Sequence, residues 1–241
     1  MDNKLAALIN ARPGSSIAEV SARYGRFRYT DSETTPGAVL IDGAWSRDNL
    51  VTLTQKELPD WPFNVPWRRN GMPIHKLVSE ALILTWAELR KQDLAKHLRT
   101  WDGTWVARHQ LWDRDNPLSL HSWAIALDLN AGTMRYGLPL SRIPVQMLEF
   151  FQCWEECGWT WGGRWTKGDP MHVQWTDPVP GTPRGMTPLR VDQVQPAPPT
   201  PPTNPADPFE GKRLIVNGAF QGRIAEATAI GDKLYLNTRD T

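Results

Sequence analysis

The chain of 241 residues is long enough for one well-buried core and a small second module. Its composition, with 40% hydrophobic and 22% charged residues, is that of an ordinary globular protein. A formal net charge of +1 argues against nucleic acid or a membrane surface as a partner. The sequence has no run of about 18 apolar residues, and its charged first residues lack an apolar core. We therefore expect neither membrane insertion nor a secretory signal peptide.

The N-terminal part of the chain has the pattern of two helices. Apolar residues recur at helical spacing over residues 3–10 and 17–24, and Pro13-Gly14 separates the two stretches. We therefore predict that residues 1–30 form a helical segment. This segment packs on, or leads into, a domain that spans residues 31–185.

The middle of the chain alternates between strand and helix patterns. The sequence predicts a strand at residues 50–53, a long amphipathic helix over residues 74–98 and a turn at residues 101–104. Alternating residues over 124–130 predict a second strand, and a second helix follows over residues 141–157. Together these elements predict an α+β fold.

The composition changes after this domain. Residues 196–208 contain seven prolines, which bury little surface and lack amide donors, so we predict an extended linker over residues 186–209. Strand patterns at residues 213–216 and 233–236 then predict a small β module over residues 210–241. About 30 residues bury too little apolar surface for independent stability. We expect this module to bind a partner surface or to form oligomers.

Two short segments carry the residues for metal chemistry. Residues 119–128 and 168–175 contain two of the five histidines of the chain and two aspartates. A catalytic zinc takes three protein ligands and leaves one coordination position for water. The predicted metal ligands are His121, Asp128 and His172.

The fourth polar residue of these segments is Asp169. A metal ligand does not also serve as a free base, so a nearby carboxylate is needed to take the proton from water. Pro170 excludes an internal helical turn and places Asp169 in a loop next to the predicted strand at residues 171–175. Asp169 is therefore the predicted general base.

The odd spacing of seven residues places His121 and Asp128 on opposite faces of a straight strand. His121 must therefore come from the loop before the strand, at residues 117–122. Within the strand, small alanine side chains beside Asp128 leave room for a metal ion. The other histidines of the chain are expected to be structural: His75, His97 and His109.

Three segments of the sequence belong together: residues 121–128 (His-Ser-Trp-Ala-Ile-Ala-Leu-Asp), 161–165 (Trp-Gly-Gly-Arg-Trp) and 169–172 (Asp-Pro-Met-His). In combination they resemble the VanY-type zinc peptidases of bacterial cell walls. That family includes D-alanyl-D-alanine carboxypeptidases and the L-alanyl-D-glutamate endopeptidases of phage endolysins. The resemblance covers roughly residues 67–175. Asp169, where carboxypeptidase relatives carry Glu, and the Trp-Gly-Gly-Arg-Trp segment are more similar to the endolysin branch.

The resemblance implies a small antiparallel sheet with helices packed on one side. It implies Zn²⁺ as the cofactor and bacterial peptidoglycan as the partner and substrate. It also assigns His121, Asp128 and His172 as zinc ligands and Asp169 as the general base. In the same way it implies that Arg108 clamps a substrate carboxylate or stabilises the oxyanion.

The resemblance suggests further residues near the substrate. Ser119 matches the hydroxyl residue that the family carries two positions before the first histidine. Trp123 and Arg164 are additional candidates for substrate contact. The family usually has Gly where this chain has Ala124, and we expect the added methyl group to narrow the cleft.

These residues predict a zinc metallopeptidase that hydrolyses a stem-peptide bond of peptidoglycan, with L-Ala–D-Glu as the expected bond. Two alternatives are a D,D-carboxypeptidase that releases D-Ala and a non-catalytic, zinc-containing wall-binding or virion protein. For an endolysin we expect storage in the host cytoplasm until the membrane is permeabilised, and action on the cell wall afterwards. The module at residues 210–241 is then expected to bind the wall or to form homo-oligomers.

Overall fold

The computed structural model describes residues 3–63 and 71–177, together with five strands between residues 189 and 239. The chain divides into two compact units, Met1–Arg184 and Gly185–Thr241. In the described part of the first unit, helices combine with antiparallel strands, which confirms the predicted α+β class. Its α-helices are α1 (Asn3–Asn10), α2 (Ile17–Tyr24), α3 (Gly43–Asn49), α4 (Ser79–Lys91) and α5 (Val145–Glu156).

The described strands of the first unit form three antiparallel sheets. These strands are β1 (Tyr29–Asp31), β2 (Val39–Ile41), β3 (Leu50–Leu53), β4 (Met72–His75), β5 (Trp101–Gly103), β6 (Ala126–Leu129), β7 (Thr160–Trp161) and β8 (His172–Gln174). Two sheets are simple pairs, β1 with β2 and β3 with β4. The third sheet has four strands in the order β5-β6-β8-β7.

The central strands of this third sheet are β6 and β8. Their antiparallel register sets Asp128 opposite His172 and Leu127 opposite Val173. Successive side chains of a strand point to opposite faces, so the polar pair and the apolar pair lie on different faces. Leu127 and Val173 are fully buried in the core. The register therefore brings two polar side chains together on one face of the sheet.

Large aromatic rings supply much of the core, since each removes a large apolar surface from water. Trp159 connects several elements. Its Nε1 donates a hydrogen bond to Thr85 Oγ1 on α4 at 2.9 Å. Its ring lies edge-on to Trp154 on α5 and to Trp175, with centroids 5.2 and 5.1 Å away. The largest fully buried rings are Trp61, Trp86, Trp101, Trp123, Trp154, Trp161, Phe150 and Phe151.

Both N-terminal helices have the predicted bounds, and α2 illustrates the local cause. Ser16 Oγ accepts a hydrogen bond from Glu19 N at 3.3 Å, which satisfies one of the free amides of the first turn. The helix ends before Gly25, whose φ of 91° is open to glycine at little steric cost. Short-range capping signals therefore define this element.

The bounds predicted for the helix over residues 74–98 are wrong at both ends. Its first residues belong to β4, because the backbone of β3 finds its hydrogen-bonding partner there. The helix α4 begins only at Ser79 and ends at Lys91. Asp93, with a φ of 58°, lies in the left-handed region and breaks the helical path. The apolar spacing continues past the helix because the flanking residues also pack on the core.

The predicted turn at residues 101–104 is also wrong, since residues 101–103 form β5. The strand pairs with β6 through a register shift between Trp101 and Gly103. Such an irregularity tolerates the turn-like residues Asp102 and Gly103 within a strand. The strand β3 has the predicted bounds, and the strands β6 and β8 and the helix α5 confirm the other predicted elements with shorter bounds.

In the second unit the structure describes β9 (Leu189–Arg190), β10 (Val194–Pro196), β11 (Leu214–Val216), β12 (Arg223–Ile230) and β13 (Lys233–Arg239). β13 pairs with both β12 and β9, and β10 pairs with β11, all antiparallel. β11 and β13 coincide with the predicted strand patterns, and β12 was not predicted. The predicted linker over residues 186–209 contains β9 and β10, and its other residues lie outside the described residues. None of the described helices has the length and apolar character needed to cross a membrane.

His75 is a buried residue of the core, as predicted, and His109 is buried as well. His75 Nε2 donates to the carbonyl of Tyr24 at 3.1 Å, and His75 Nδ1 accepts from the backbone N–H of Leu77 at 3.2 Å. A second proton on the ring would remove the acceptor at Nδ1 and place a charge in the core. Burial accordingly lowers the pKa of His75 from 6.5 to about 4.

We expect His75 to make the protein less stable as the pH falls from about 6.5 to about 4. In this range the unfolded state binds a proton at His75 and the folded state does not. Above the unfolded pKa the ring is neutral in both states, so the stabilisation is fully present there. The loss should be on the order of 2 kcal/mol.

Urea unfolding of the wild type and of His75→Gln measures this effect. We compare the free energy of unfolding near neutral pH with that at about pH 4.5. The variant should lose less stability on acidification than the wild type. Equal losses in the two proteins would contradict the assignment.

Candidate metal centre

Three polar side chains meet on one face of the four-stranded sheet. Asp128 on β6 and His172 on β8 are direct cross-strand neighbours, and His121 joins them from the 3₁₀ turn Leu120–Trp123. Both histidines are buried, whereas the Asp128 side chain keeps 19% of its surface exposed. The cluster therefore lies at the border of the core.

His121 lies in the turn before β6, which confirms that it approaches from the preceding residues. Ser119 Oγ accepts from His121 N at 3.4 Å and so caps the turn. The turn ends at Ala124, with φ 52° and ψ 41°. This left-handed conformation costs alanine more than glycine, which is a physical reason for glycine at this position. Ala124 is fully buried. Contrary to our expectation, its methyl group therefore does not narrow an open cleft.

The three ligand atoms form a nearly equilateral triangle. His121 Nε2 lies 3.2 Å from Asp128 Oδ1 and 3.3 Å from His172 Nδ1. His172 Nδ1 lies 3.3 Å from Asp128 Oδ1. In a tetrahedral zinc site with bonds of about 2.0–2.1 Å, neighbouring ligand atoms are about 3.3 Å apart. The spacing therefore fits three corners of such a site.

Each imidazole is oriented by an acceptor on its other nitrogen. His121 Nδ1 lies 3.0 Å from the carbonyl oxygen of Thr104, to which it can only donate. His172 Nε2 lies 3.1 Å from Gln174 Oε1 and donates to it in the same way. In the neutral imidazoles, these hydrogens leave the nitrogens that face Asp128 without a proton.

Two bare nitrogens and a carboxylate oxygen in mutual contact repel one another unless a cation lies between them. This donor set suits zinc and leaves a fourth coordination position for water. Among the residues that the structure describes, His121, Asp128 and His172 are the group that can hold a metal ion. The geometry therefore brings together all three predicted ligands.

The charges around Asp128 favour its ionised form. Burial by itself would raise the pKa of Asp128, but the adjacent imidazoles of His121 and His172 outweigh burial and hold this pKa far below its usual range. Burial would lower the pKa of His172, but the neighbouring Asp128 and Asp169 raise it above its ordinary value. The site therefore attracts positive charge.

Asp169 lies beside the triangle without joining it. Its backbone oxygen accepts from His172 N at 3.0 Å, which closes a tight loop around Pro170. Its Oδ1 is buried and has no hydrogen-bond partner among the described residues. Burial raises the pKa of Asp169; the charge of His172 opposes this rise and that of Asp128 adds to it. A desolvated carboxylate with a free oxygen is suited to accept a proton.

Gly162 sets the position of Asp169. Asp169 N donates to Gly162 O at 2.9 Å, and a Cβ on Gly162 would lie only 2.6 Å from Asp169 O. A side chain at this position would displace the backbone of the predicted base. The close approach explains why the Trp-Gly-Gly-Arg-Trp segment needs glycine here.

Arg108 is fixed to the turn that carries His121. Its backbone N–H donates to Ser122 Oγ at 3.1 Å, and its carbonyl accepts from Ser122 Oγ at 3.0 Å and from Ser119 N at 2.9 Å. The guanidinium lies 5.3 Å from the centre of the Trp112 ring, which is 47% exposed. Burial lowers the pKa of Arg108, while the two aspartates of the site raise it. Arg108 therefore places a cation near the triangle.

Two other predicted residues have structural partners. Trp123 is buried, and its Nε1 donates to Gly25 O at 3.0 Å. Arg164 forms a paired contact with the Glu155 carboxylate, both distances being 2.6 Å, and lies over the Trp161 ring. Substrate contact by Trp123 or Arg164 stays a prediction.

Three residues at the site were not predicted: Thr104, Ser122 and Gln174. Thr104 acts through its backbone carbonyl, so its side-chain identity carries no signal. Ser122 acts on Arg108 across the turn, which only the folded chain reveals. Gln174 could have been found, because it follows His172 by two residues on one strand and shares its face.

Residues 112–175 match a peptidase M15 family model described as D-alanyl-D-alanine carboxypeptidase. The matched segment contains the three triangle residues and Asp169, and it begins after Arg108. The match supports the peptidase family that the motifs resemble. The curated proteins and the solved structures give no match to the chain.

We expect the full chain to bind one zinc ion, and Asp128→Ala or His172→Ala to weaken zinc binding by at least about 100-fold. Each substitution removes one of three ligands from the triangle. Competition with a chromogenic chelator measures the affinity. His97→Ala is the control, because it removes an imidazole outside the triangle. Wild-type affinity in Asp128→Ala would rule out this site.

We expect Gly162→Ala to reduce hydrolysis by about 10- to 100-fold, because the new methyl group displaces Asp169. Zinc affinity should change much less, since no ligand is removed. Gly132→Ala is the matched control, because no atom lies within 4 Å of a Cβ at that position. Activity and chelator competition are measured on both variants. A fully active Gly162→Ala would contradict the positioning role.

Proposed function

We propose that the chain is a zinc-dependent peptidase that hydrolyses a stem-peptide bond of bacterial peptidoglycan. The observation that carries the proposal is the His121–Asp128–His172 triangle with the unpaired carboxylate oxygen of Asp169 beside it. A ligand set with a separate base is what hydrolysis at a metal centre requires. The family match over residues 112–175 supports the peptidase class.

Zinc held by the triangle would supply Lewis acidity, polarising the scissile carbonyl and lowering the pKa of water at the site toward about 7. Asp169 Oδ1 accepts one proton from the attacking water, whose oxygen forms a bond to the carbonyl carbon. The carbon–nitrogen bond then breaks, and the protonated Asp169 returns its proton to the leaving nitrogen. The second proton of the water stays on the new carboxyl group and is lost to solvent, so the products are a carboxylate and an amine.

Arg108 is proposed to hold a carboxylate of the substrate. Its backbone is fixed by three hydrogen bonds to Ser119 and Ser122, so the guanidinium starts from a constrained position. The ring of Trp112 restricts it further through a cation–π contact. A pre-positioned guanidinium can form a paired hydrogen bond with a carboxylate at a low entropic cost.

We propose the L-Ala–D-Glu bond as the site of cleavage and an endolysin role for the protein. This finer proposal rests on Asp169 in place of Glu and on the Trp-Gly-Gly-Arg-Trp segment, which are more similar to the endolysin branch. Release from the host cytoplasm after membrane permeabilisation, and wall binding by residues 210–241, belong to the same proposal.

A D,D-carboxypeptidase is the second candidate function. The description of the matched family model favours it directly. The two activities use the same metal chemistry but differ in product. An endopeptidase creates a new amino terminus within the stem peptide, whereas a carboxypeptidase releases free D-Ala.

We expect the zinc-loaded chain to release new amino termini from purified sacculi, and Asp169→Asn to lower this rate by about 100-fold or more. The amide cannot take up the proton from water, although it preserves the volume of the side chain. Mass spectrometry of the digested muropeptides identifies the bond.

The controls separate the proposed functions. Asp169→Asn should weaken zinc binding far less than Asp128→Ala does, since Asp169 is not a ligand. Free D-Ala without new internal amino termini would favour the carboxypeptidase. Zinc binding without any product would show a non-catalytic protein, and full activity of Asp169→Asn would remove it as the base.

A further inference from the structure

A short chain of polar side chains runs away from the metal centre behind His172. Gln174 and Thr176 are both buried, although neither belongs to the metal triangle. His172 Nε2 lies 3.1 Å from Gln174 Oε1, and Gln174 Nε2 lies 2.7 Å from Thr176 Oγ1. Thr176 Oγ1 lies 3.1 Å from the carbonyl oxygen of Asp177, which is the last acceptor of this series of hydrogen bonds.

The last acceptor fixes the direction of every hydrogen bond. The carbonyl oxygen of Asp177 can only accept, so the Thr176 hydroxyl donates to it. The Thr176 oxygen then accepts from the amide nitrogen of Gln174. This orients the Gln174 carbonyl oxygen toward His172, whose Nε2 must carry the hydrogen. The remaining ring nitrogen, Nδ1, is left without a proton.

We propose that Gln174, oriented by Thr176, is a positioning residue that holds His172 in the tautomer with a bare Nδ1. This inference rests on the metal centre of the proposed function. Nδ1 is the atom that lies 3.3 Å from both His121 Nε2 and Asp128 Oδ1. In the other tautomer a hydrogen on Nδ1 would occupy the space of the cation.

Electrostatics explains why the residue behind His172 is a neutral amide and not a carboxylate. Asp128 and Asp169 already bring two carboxylates to this largely buried site. A carboxylate at position 174 would orient His172 equally well but would add a third negative charge to a buried region. Gln174 supplies the acceptor without that charge. A further residue must then orient the amide of Gln174 toward His172, and this is the role of Thr176.

The two ligand histidines differ in how their tautomers are held. His121 donates to the backbone carbonyl of Thr104, which no side-chain substitution removes. His172 depends on a side chain that substitution can remove. His121 is therefore an internal reference, and changes at position 174 should affect only one of the two ligand imidazoles.

The test is ring ¹⁵N NMR of the full chain, with and without zinc, at a pH above the titration range of imidazole. In the wild type, Nε2 of His172 should carry the hydrogen and Nδ1 should be bare. Gln174→Met keeps the approximate size but removes the acceptor, so His172 should populate both tautomers. Zinc affinity should fall by about 10- to 100-fold, and the His121 signals should keep their wild-type pattern.

Gln174→Glu serves as the rescue variant, because it retains an acceptor for His172. It should restore the single tautomer of His172 and recover zinc affinity relative to Gln174→Met. A folded Gln174→Met with one unchanged His172 tautomer and wild-type zinc affinity would overturn the proposal.

Thr176→Val covers the case in which Gln174→Met does not fold. It preserves side-chain volume but removes the hydroxyl that orients the amide, so mixed His172 tautomers and a several-fold weaker zinc affinity are expected. An unchanged tautomer and affinity in Thr176→Val would likewise overturn the proposal. These readouts need no substrate, so a wild-type chain without peptidase activity would reject the proposed function and leave this test intact.

Discussion

The candidate metal centre depends on the pairing of β6 with β8 in a single register. This register places Asp128 directly opposite His172, on the face away from the apolar pair Leu127 and Val173. A slip by one residue would turn a ligand into the core and an apolar side chain toward the metal, because side chains alternate along a strand. Burial of the apolar face therefore maintains the polar face, and the third ligand, His121, only has to reach a position that the sheet has already defined.

The two aspartates of the site have the same chemistry and opposite environments. Asp128 is in contact with two imidazoles, which hold its pKa far below the usual range and keep it available as an anionic ligand. Asp169 is desolvated, and its free oxygen has no partner among the described residues, so its pKa is raised. Environments that push two carboxylates apart in pKa also separate their roles. Packing, and not residue type, thus distinguishes the predicted ligand from the proposed base.

The segment around Arg108 links the site to parts of the chain that the family model does not cover. Val39 N on β2 donates to Ala107 O at 3.0 Å, and Ala38 forms an isolated bridge with Arg108. On its other side Arg108 is bound by Ser122, next to His121 in sequence. The strand β2 and the residue before it therefore support the backbone of Arg108, which is proposed to hold the substrate. These are backbone contacts, so they depend little on which side chains the strand carries.

The α+β class, the two N-terminal helices, the three candidate ligands and the separate carboxylate Asp169 were all predictable from the sequence alone. These features depend on the spacing of nearby residues and on the chemistry of their side chains, and both can be observed in the sequence. That β4 replaces the start of the predicted 74–98 helix could be seen only in the folded chain, because the partner of a strand lies far away in sequence. The same holds for the left-handed Ala124 and for the acceptors behind each ligand, Thr104 and Gln174. Those depend on which groups the fold brings within hydrogen-bond distance, and local spacing does not encode that proximity.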